Sequence, residues 1–199
     1  MSPLTHLLAS WVVATATTDN PRDRRLVTLA GVLPDLDGLG IIVDLAHDAL
    51  GHKATHYYAN YHHVLLHGIF GAGVLMVALT IFAQRRWRVA LLTLAVFHLH
   101  LLCDFIGSRG PSPEDLWPIF YLAPFTKEWM WIWRGQWQLD GWQNRTVFVC
   151  LFAWSLWYAV RYGHSFVAVL NRRADRVFVE VLRKWARNLT GGTPTAHLR

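Results

Sequence analysis

Charge is scarce in this chain. Only 16% of its 199 residues are Asp, Glu, Lys or Arg, against about 25% in an average soluble domain. Cysteine is scarcer still. Cys103 and Cys150 are the only two, each inside an apolar run and neither with a CxxC partner. That excludes a disulfide framework and a zinc knuckle, and leaves both as small core or lipid-facing residues. The opening stretch MSPLTHLLASWVVATATT has no Lys or Arg ahead of its apolar residues. It lacks the basic n-region of a secretory signal peptide and reads as a retained helix. No internal repeat is visible, and the tail TGGTPTAHLR is the one low-complexity hint.

Apolar side chains are what the chain has in excess. They make up 53% of it, and its 11 tryptophans are a residue type that gathers at membrane–water interfaces. The formal charge is +6, nearly all of the excess being Arg. Such a balance fits nucleic acid or an anionic membrane surface. The apolar runs favour the membrane, and the basic residues are spread around them, which argues against nucleic acid.

A membrane span needs roughly 20 apolar residues. Val64 to Ala83 meets that length, and Val89 to Ile106 nearly does while carrying His98, His100 and Asp104. Val147 to Val160 and Leu4 to Thr18 are shorter, and Leu26 to Leu45 is interrupted by Pro34, Asp35 and Asp37. Arg22, Arg24 and Arg25, then Arg85, Arg86 and Arg88, then a C-terminal series from Arg161 to Arg187 would all fall on one side if the five segments cross or dip. The positive-inside rule makes that side cytoplasmic. The opposite side would hold KEWMWIWRGQWQLDGW, an aromatic belt.

In VLNRRADRVFVEVLRKWARNL, Leu170, Ala174, Val177, Phe178, Val181, Leu182 and Trp185 recur at helical spacing with arginines on much of the other face. This reads as an amphipathic helix on an anionic leaflet, or else as a surface helix of a soluble domain. The expected fold is therefore all-α: a multi-pass helical protein of the inner membrane, with about four to five membrane segments, a cytoplasmic C-terminus and a C-terminal amphipathic helix. Residues 1–163 would form the membrane-embedded domain, 164–190 the basic interfacial helix and 191–199 a flexible tail.

The ionisable residues in apolar segments are the candidates for function, because such groups are costly there and mark sites. His6 lies in PLTHLL, Asp35 and Asp37 in GVLPDLDG, His62, His63 and His67 in HHVLLH, and His100 and Asp104 in HLHLLCDF. Residues four apart share a helix face, which pairs His63 with His67 and His100 with Asp104. His98 faces elsewhere. Imidazole and carboxylate are the ligand set of zinc, manganese or iron(II). Taken singly, each has a plainer reading: His6 as a cap, HH as a surface pair, PDLD as a turn, HxxxD as a structural hydrogen bond. Their occurrence together in four apolar segments favours a site.

The order of these motifs resembles that of the bacterial inner-membrane metal-dependent hydrolases, the family with a LexA-regulated member. The pattern is an N-terminal His, PDxD, a His pair, then HxxxD with a Gly/Pro-rich stretch and Trp-Pro, here from about Pro3 to Pro118. The resemblance implies His6, Asp35, Asp37, His62, His67, His100 and Asp104 as metal-site residues on a multi-helix membrane domain. Two departures stand out. The family often has His after PDxD, where this chain has Gly38, and often reads HRGxTHS, where this chain reads HHVLLHG. His63 is the nearest replacement.

The leading expectation is a membrane-bound hydrolase holding one or two divalent ions, zinc first and manganese or iron as alternatives. Activated water would attack an ester, amide or phosphoester of a small molecule or membrane lipid. Asp35 or Asp37 would be the base, His63 would orient substrate or protonate a leaving group, and Arg109 would bind a phosphate or carboxylate. The alternatives are an ion or proton pathway using the same cluster, and a structural metal site.

Overall fold

The computed structural model describes residues 1–189, and the expected tail at 191–199, with residue 190, lies outside them. The described residues are helical, with two isolated bridges, Arg109 to Gln138 and Ile119 to Trp131, in place of strands. The chain divides into two compact units, Met1–Phe148 and Val149–Arg199.

The first unit is built around α6 (Arg86–Gly107). It is the one helix among the described residues that is long and apolar enough to cross a membrane. Its buried face carries Val89, Val96, Phe97 and Leu101. One half of that face packs with Ala14 of α1 (Pro3–Thr17), Val27 and Ala30 of α2 (Pro21–Ala30) and Leu79 of α5 (Ile69–Ile81). The other half packs with Ala72, Leu75 and the loop residue Ile119. Small residues at these crossings let the backbones approach, which is how helices associate where lipid removes the hydrophobic drive. A polar tie holds the basic end together. Buried Asp23 of α2 accepts the backbone N–H groups of Gln84 (2.8 Å) and Arg85 (3.1 Å), two donors that the start of α6 cannot satisfy internally.

The apolar stretch from Leu26 to Leu45 is not one helix. Pro34 opens a 3₁₀ turn over Leu33–Leu39, and α3 (Gly40–Ala49) leaves it. α2 and the Leu33–Ala49 segment form a pair bent by 46°. It is a second span only if the bent pair is taken as one. The Asp44 carboxylate on α3 accepts Thr55 Oγ1 and the backbone N–H groups of Tyr57 and Tyr58, and so caps the short α4 (Tyr57–Tyr61).

The structure also shortens the segment expected from Val64 to Ala83. Residues 62–68 are irregular and α5 has only 13 residues. The pairing of His63 with His67 on one helix face is thereby overturned. His63 has a left-handed backbone (φ 64°), and Leu66 N–H bonds to the Asp37 carboxylate, so no helical ladder runs through the stretch. The aromatic-rich loop from 108 to 141 is pinned by Gln136, whose side chain bonds both backbone groups of Trp117. α7 (Trp142–Tyr162) follows and runs across the division between the units. The second unit continues with a 3₁₀ turn at Phe166–Val169 and α8 (Arg172–Leu189).

Candidate metal centre

Four elements deliver the site. α1 starts at Pro3, with Ser2 Oγ accepting the Thr5 N–H, and this sets His6 one turn in on the buried side. The 3₁₀ turn offers Asp35 and Asp37, the irregular 62–68 stretch offers three histidines, and α6 offers His100 and Asp104 one turn apart. His6 Nε2 is 3.1 Å from Asp104 Oδ1, and its ring lies 3.9 Å from that of His100. The Met1 amino group also bonds Asp104, as does Ser108 Oγ at 3.0 Å.

Backbone and carboxylate acceptors fix the histidine tautomers. His100 Nδ1 is 2.8 Å from the Gly31 carbonyl, which can only accept. His67 Nδ1 is 3.0 Å from Asp37 Oδ2, which as a carboxylate can only accept. Both rings therefore carry a proton on Nδ1, and in the neutral form each turns an Nε2 lone pair inward. Those two lone-pair nitrogens are only 3.1 Å apart. Asp104 Oδ2 is 3.0 Å from His100 Nε2 and 3.7 Å from His67 Nε2. Asp35 Oδ1 is 3.8 and 3.9 Å from the same atoms. In the neutral form two lone pairs and two carboxylate oxygens face one point and repel each other unless a metal ion or a proton lies between them. Three buried atoms here, His6 Nδ1, Asp35 Oδ2 and Asp104 Oδ2, have no hydrogen-bond partner.

His6, Asp35, His100 and Asp104 thus form one group able to hold a metal ion, and His62, His63 and His67 form another, each with its ligand atoms within 4.8 Å of one another. The donors suit zinc, manganese or iron(II). Asp37 stands behind this array. Its Oδ1 takes His62 Nδ1 at 2.9 Å and its Oδ2 takes His67 and the Leu66 N–H, so its two oxygens orient candidate ligands from outside, as a carboxylate does behind a metal-binding histidine.

The remaining candidates are more distant. His98 turns away, bonding Leu94 O and the Tyr121 hydroxyl on the exposed side of α6. Arg109 is half-buried and borders neither cavity described below. Its backbone groups tie it to Trp137 and Leu139.

A cavity of about 360 Å³ reaches the cluster, bordered by Asp35, Asp104, His62 and His63, with Tyr58 and Trp117 on its wall. A second cavity of about 820 Å³ shares Tyr58, His62, His63 and Trp117 and adds Lys127. Burial, reinforced by His67, holds His63 well below the usual histidine range, so its ring is neutral. Burial and the charges of Asp35, Asp104 and Asp37 push the Tyr58 phenol up to about 12, leaving it a permanent donor. Tyr58 and Lys127 carried no sequence signal of their own. Gly31 had one only in hindsight: a Cβ there would sit 1.7 Å from Ser10 Oγ and 2.9 Å from Val96 Cγ1, so the carbonyl that positions His100 needs glycine.

The model of the YdjM inner membrane protein family matches residues 1–172. The chain belongs to that family. Membership makes it an inner membrane protein, in agreement with the apolar α6. No curated protein and no solved structure matches the chain significantly. Of the shared stretch, residues 1–172 include every residue of the cluster. His62 lies against Gly38, where a Cβ would be 3.0 Å from its Nδ1, so this histidine fills space that a larger residue at 38 would need.

Proposed function

We propose that this YdjM-family chain is a membrane-bound, metal-dependent hydrolase. The observation that carries the reading is the 3.1 Å approach of His67 Nε2 and His100 Nε2, both lone pairs when the rings are neutral, because their outer bonds hold the proton on Nδ1. His6, Asp35, His67, His100 and Asp104 would hold one or two divalent ions, with zinc the first expectation. A bound ion would supply Lewis acidity and an activated water. Asp35 Oδ2, lacking a hydrogen-bond partner, is the side chain placed to take a proton, a role Asp37 cannot fill with both oxygens engaged. His63 and Tyr58, on the wall of both cavities, offer N–H and O–H donors to a substrate oxygen or leaving group. The cavity bordering Asp35 and Asp104 supports a catalytic reading over a purely structural one, which closes its shell. By the positive-inside rule, Arg85, Arg86 and Arg88 lie in the cytoplasm and the cluster end of α6 faces the opposite side, within reach of an ester, amide or phosphoester at the bilayer surface.

A second reading shares the same observation, since a proton between the two imidazoles would also relieve the repulsion. It makes the cluster part of an ion or proton pathway. Toward the basic end, however, the buried face of α6 continues as Phe97, Val96, Thr93, Ala90 and Val89, with no titratable group to pass a proton on. Metal analysis of the detergent-purified protein separates the readings, followed by turnover of chromogenic ester and phosphoester probes. Bound transition metal that is lost in His100→Ala supports the hydrolase. A parent free of transition metal as isolated and after metal addition overturns it in favour of the pathway.

A further inference from the structure

The second unit contains a surface that the metal centre does not use. α8 begins where the family match ends, at residue 172. At about 100° per residue, its side chains divide into three sectors. One sector packs on its own unit: Val179 is 3% exposed, and the Phe178 ring lies 6.0 Å from that of Phe166 in the preceding 3₁₀ turn. A second sector is apolar and open to the outside: Ala174, Val177 (57% exposed), Val181 (41%) and Trp185 (60%), with Leu189 at its end. The third is basic: Arg172, Arg173, Arg176 and Lys184 are all exposed.

Two polar latches decide which apolar sector faces out. The Asp175 carboxylate, buried, accepts the Ser165 N–H at 2.9 Å and the Ser165 hydroxyl at 2.5 Å. Arg183 is turned back, its Nε donating to the Val160 carbonyl at the end of α7 at 2.9 Å. These contacts lie on different turns of α8, so they fix its rotation about its own axis. Exposed Val and Trp beside a row of cations is an unfavourable surface in water. It is the surface that fits the headgroup region of an anionic bilayer, where apolar side chains sink below the phosphates and Arg and Lys reach up to them.

We propose that α8 is an anionic-lipid-binding surface, held by the Asp175–Ser165 and Arg183–Val160 contacts so that Val177, Val181 and Trp185 enter the bilayer while Arg172, Arg173, Arg176 and Lys184 engage lipid phosphates. Each of the four cations adds about a fivefold factor to the ratio of docked to undocked helix at low salt, and the preference weakens as salt screens them.

The test uses the full-length chain with Cys103 and Cys150 replaced by Ala, reconstituted in nanodiscs of zwitterionic lipid or of lipid containing anionic phosphatidylglycerol. Spin labels are placed at Val181→Cys and, about 100° around the helix within the basic sector, at Glu180→Cys. The expected result is a 181 label reached by oxygen and shielded from a water-soluble relaxation agent in anionic discs only, with the 180 label aqueous throughout. Replacing Arg172, Arg173, Arg176 and Lys184 by Gln, or raising salt on the unaltered chain, should return the 181 label to water. Equal burial in both lipids would overturn the anionic preference. An aqueous 181 label in both would overturn docking itself. Burial that depends on protein concentration rather than on lipid would assign the stripe to a second copy of the chain and also overturn the proposal.

Discussion

Asp37→Asn tests the site without removing any inward-facing atom. The Asp37 carboxylate serves three donors: His62 Nδ1 on Oδ1, and His67 Nδ1 with the Leu66 N–H on Oδ2. Asparagine has one oxygen, and the backbone N–H of Leu66 cannot turn away. The amide oxygen must therefore keep the Oδ2 position, and its NH₂ group confronts His62 Nδ1. That ring changes tautomer or rotates, while His67 keeps its proton on Nδ1 and its lone pair inward. The cost of the reversed bond, on the order of 1–3 kcal/mol, falls on apo and loaded protein alike and cancels from the metal affinity. What does not cancel is the lost negative charge behind His67. Losing such an outer partner weakens metal affinity about 10–100-fold, or roughly 1.4–2.7 kcal/mol. The assay is competition against a chelator in detergent, together with the rise in melting temperature produced by metal, which should be smaller in the variant. His100→Ala, which deletes an inward-facing atom, should lose more. Unchanged affinity in Asp37→Asn would refute the outer-partner argument. A loss as large as that of His100→Ala would show that Asp37 binds the ion directly.

His98→Ala should leave metal content at the parental level, because its ring bonds Leu94 O and Tyr121 on the exposed side of α6; a drop in metal content would contradict this placement. Asp23→Ala should destabilise the protein by roughly 1–3 kcal/mol by removing the acceptor of two part-buried backbone donors, read as thermal unfolding in detergent, and an unchanged melting point would mean that water satisfies them. Gly31→Ala should lower metal occupancy from a distance, since relieving the clash with Ser10 moves the carbonyl that holds His100. Cysteines introduced at Gln84 and at Gln138 should label from opposite sides of the membrane, and labelling from one side would overturn the orientation proposed for α6.

Much of α6 was legible from the sequence. Its apolar run marks a helix, and the spacing of His100 and Asp104 puts both on one face, where they meet at 3.0 Å. The break at Pro34 was equally plain, because proline cannot continue the ladder. The stretch from Val64 to Gly68 was misread as helix for a physical reason. Hydropathy records which solvent a segment prefers, not which backbone it adopts, and Asp37 captures the Leu66 N–H that a helix would use. The division of labour between Asp35 and Asp37 was also hidden. Both sit on one 3₁₀ turn, and only tertiary contacts show that one faces the cluster and the other backs it. In α8 the period was visible, but its six apolar positions from Ala174 to Trp185, with Leu170 just before the helix, formed a single face on paper. The latches to Ser165 and Val160 are what split them into a packed sector and an exposed one.

The irregular backbone and the candidate metal centre follow from one constraint. In an apolar environment every backbone N–H and C=O needs a partner, and broken helices survive only where protein supplies one. Two breaks border this cluster. The end of α2 leaves the Gly31 carbonyl available, and the irregular approach to α5 leaves the Leu66 N–H available. His100 Nδ1 takes the first and Asp37 takes the second. The outward atoms of the site residues thus satisfy the backbone that the breaks expose, and in doing so they turn the His100 and His67 lone pairs inward. A continuous helix through Leu66 would consume its N–H internally and leave Asp37 one donor fewer to hold it behind His67. The histidines of HHVLLH therefore stand on irregular backbone because the same bonds that make the break tolerable also set the tautomers a cation requires.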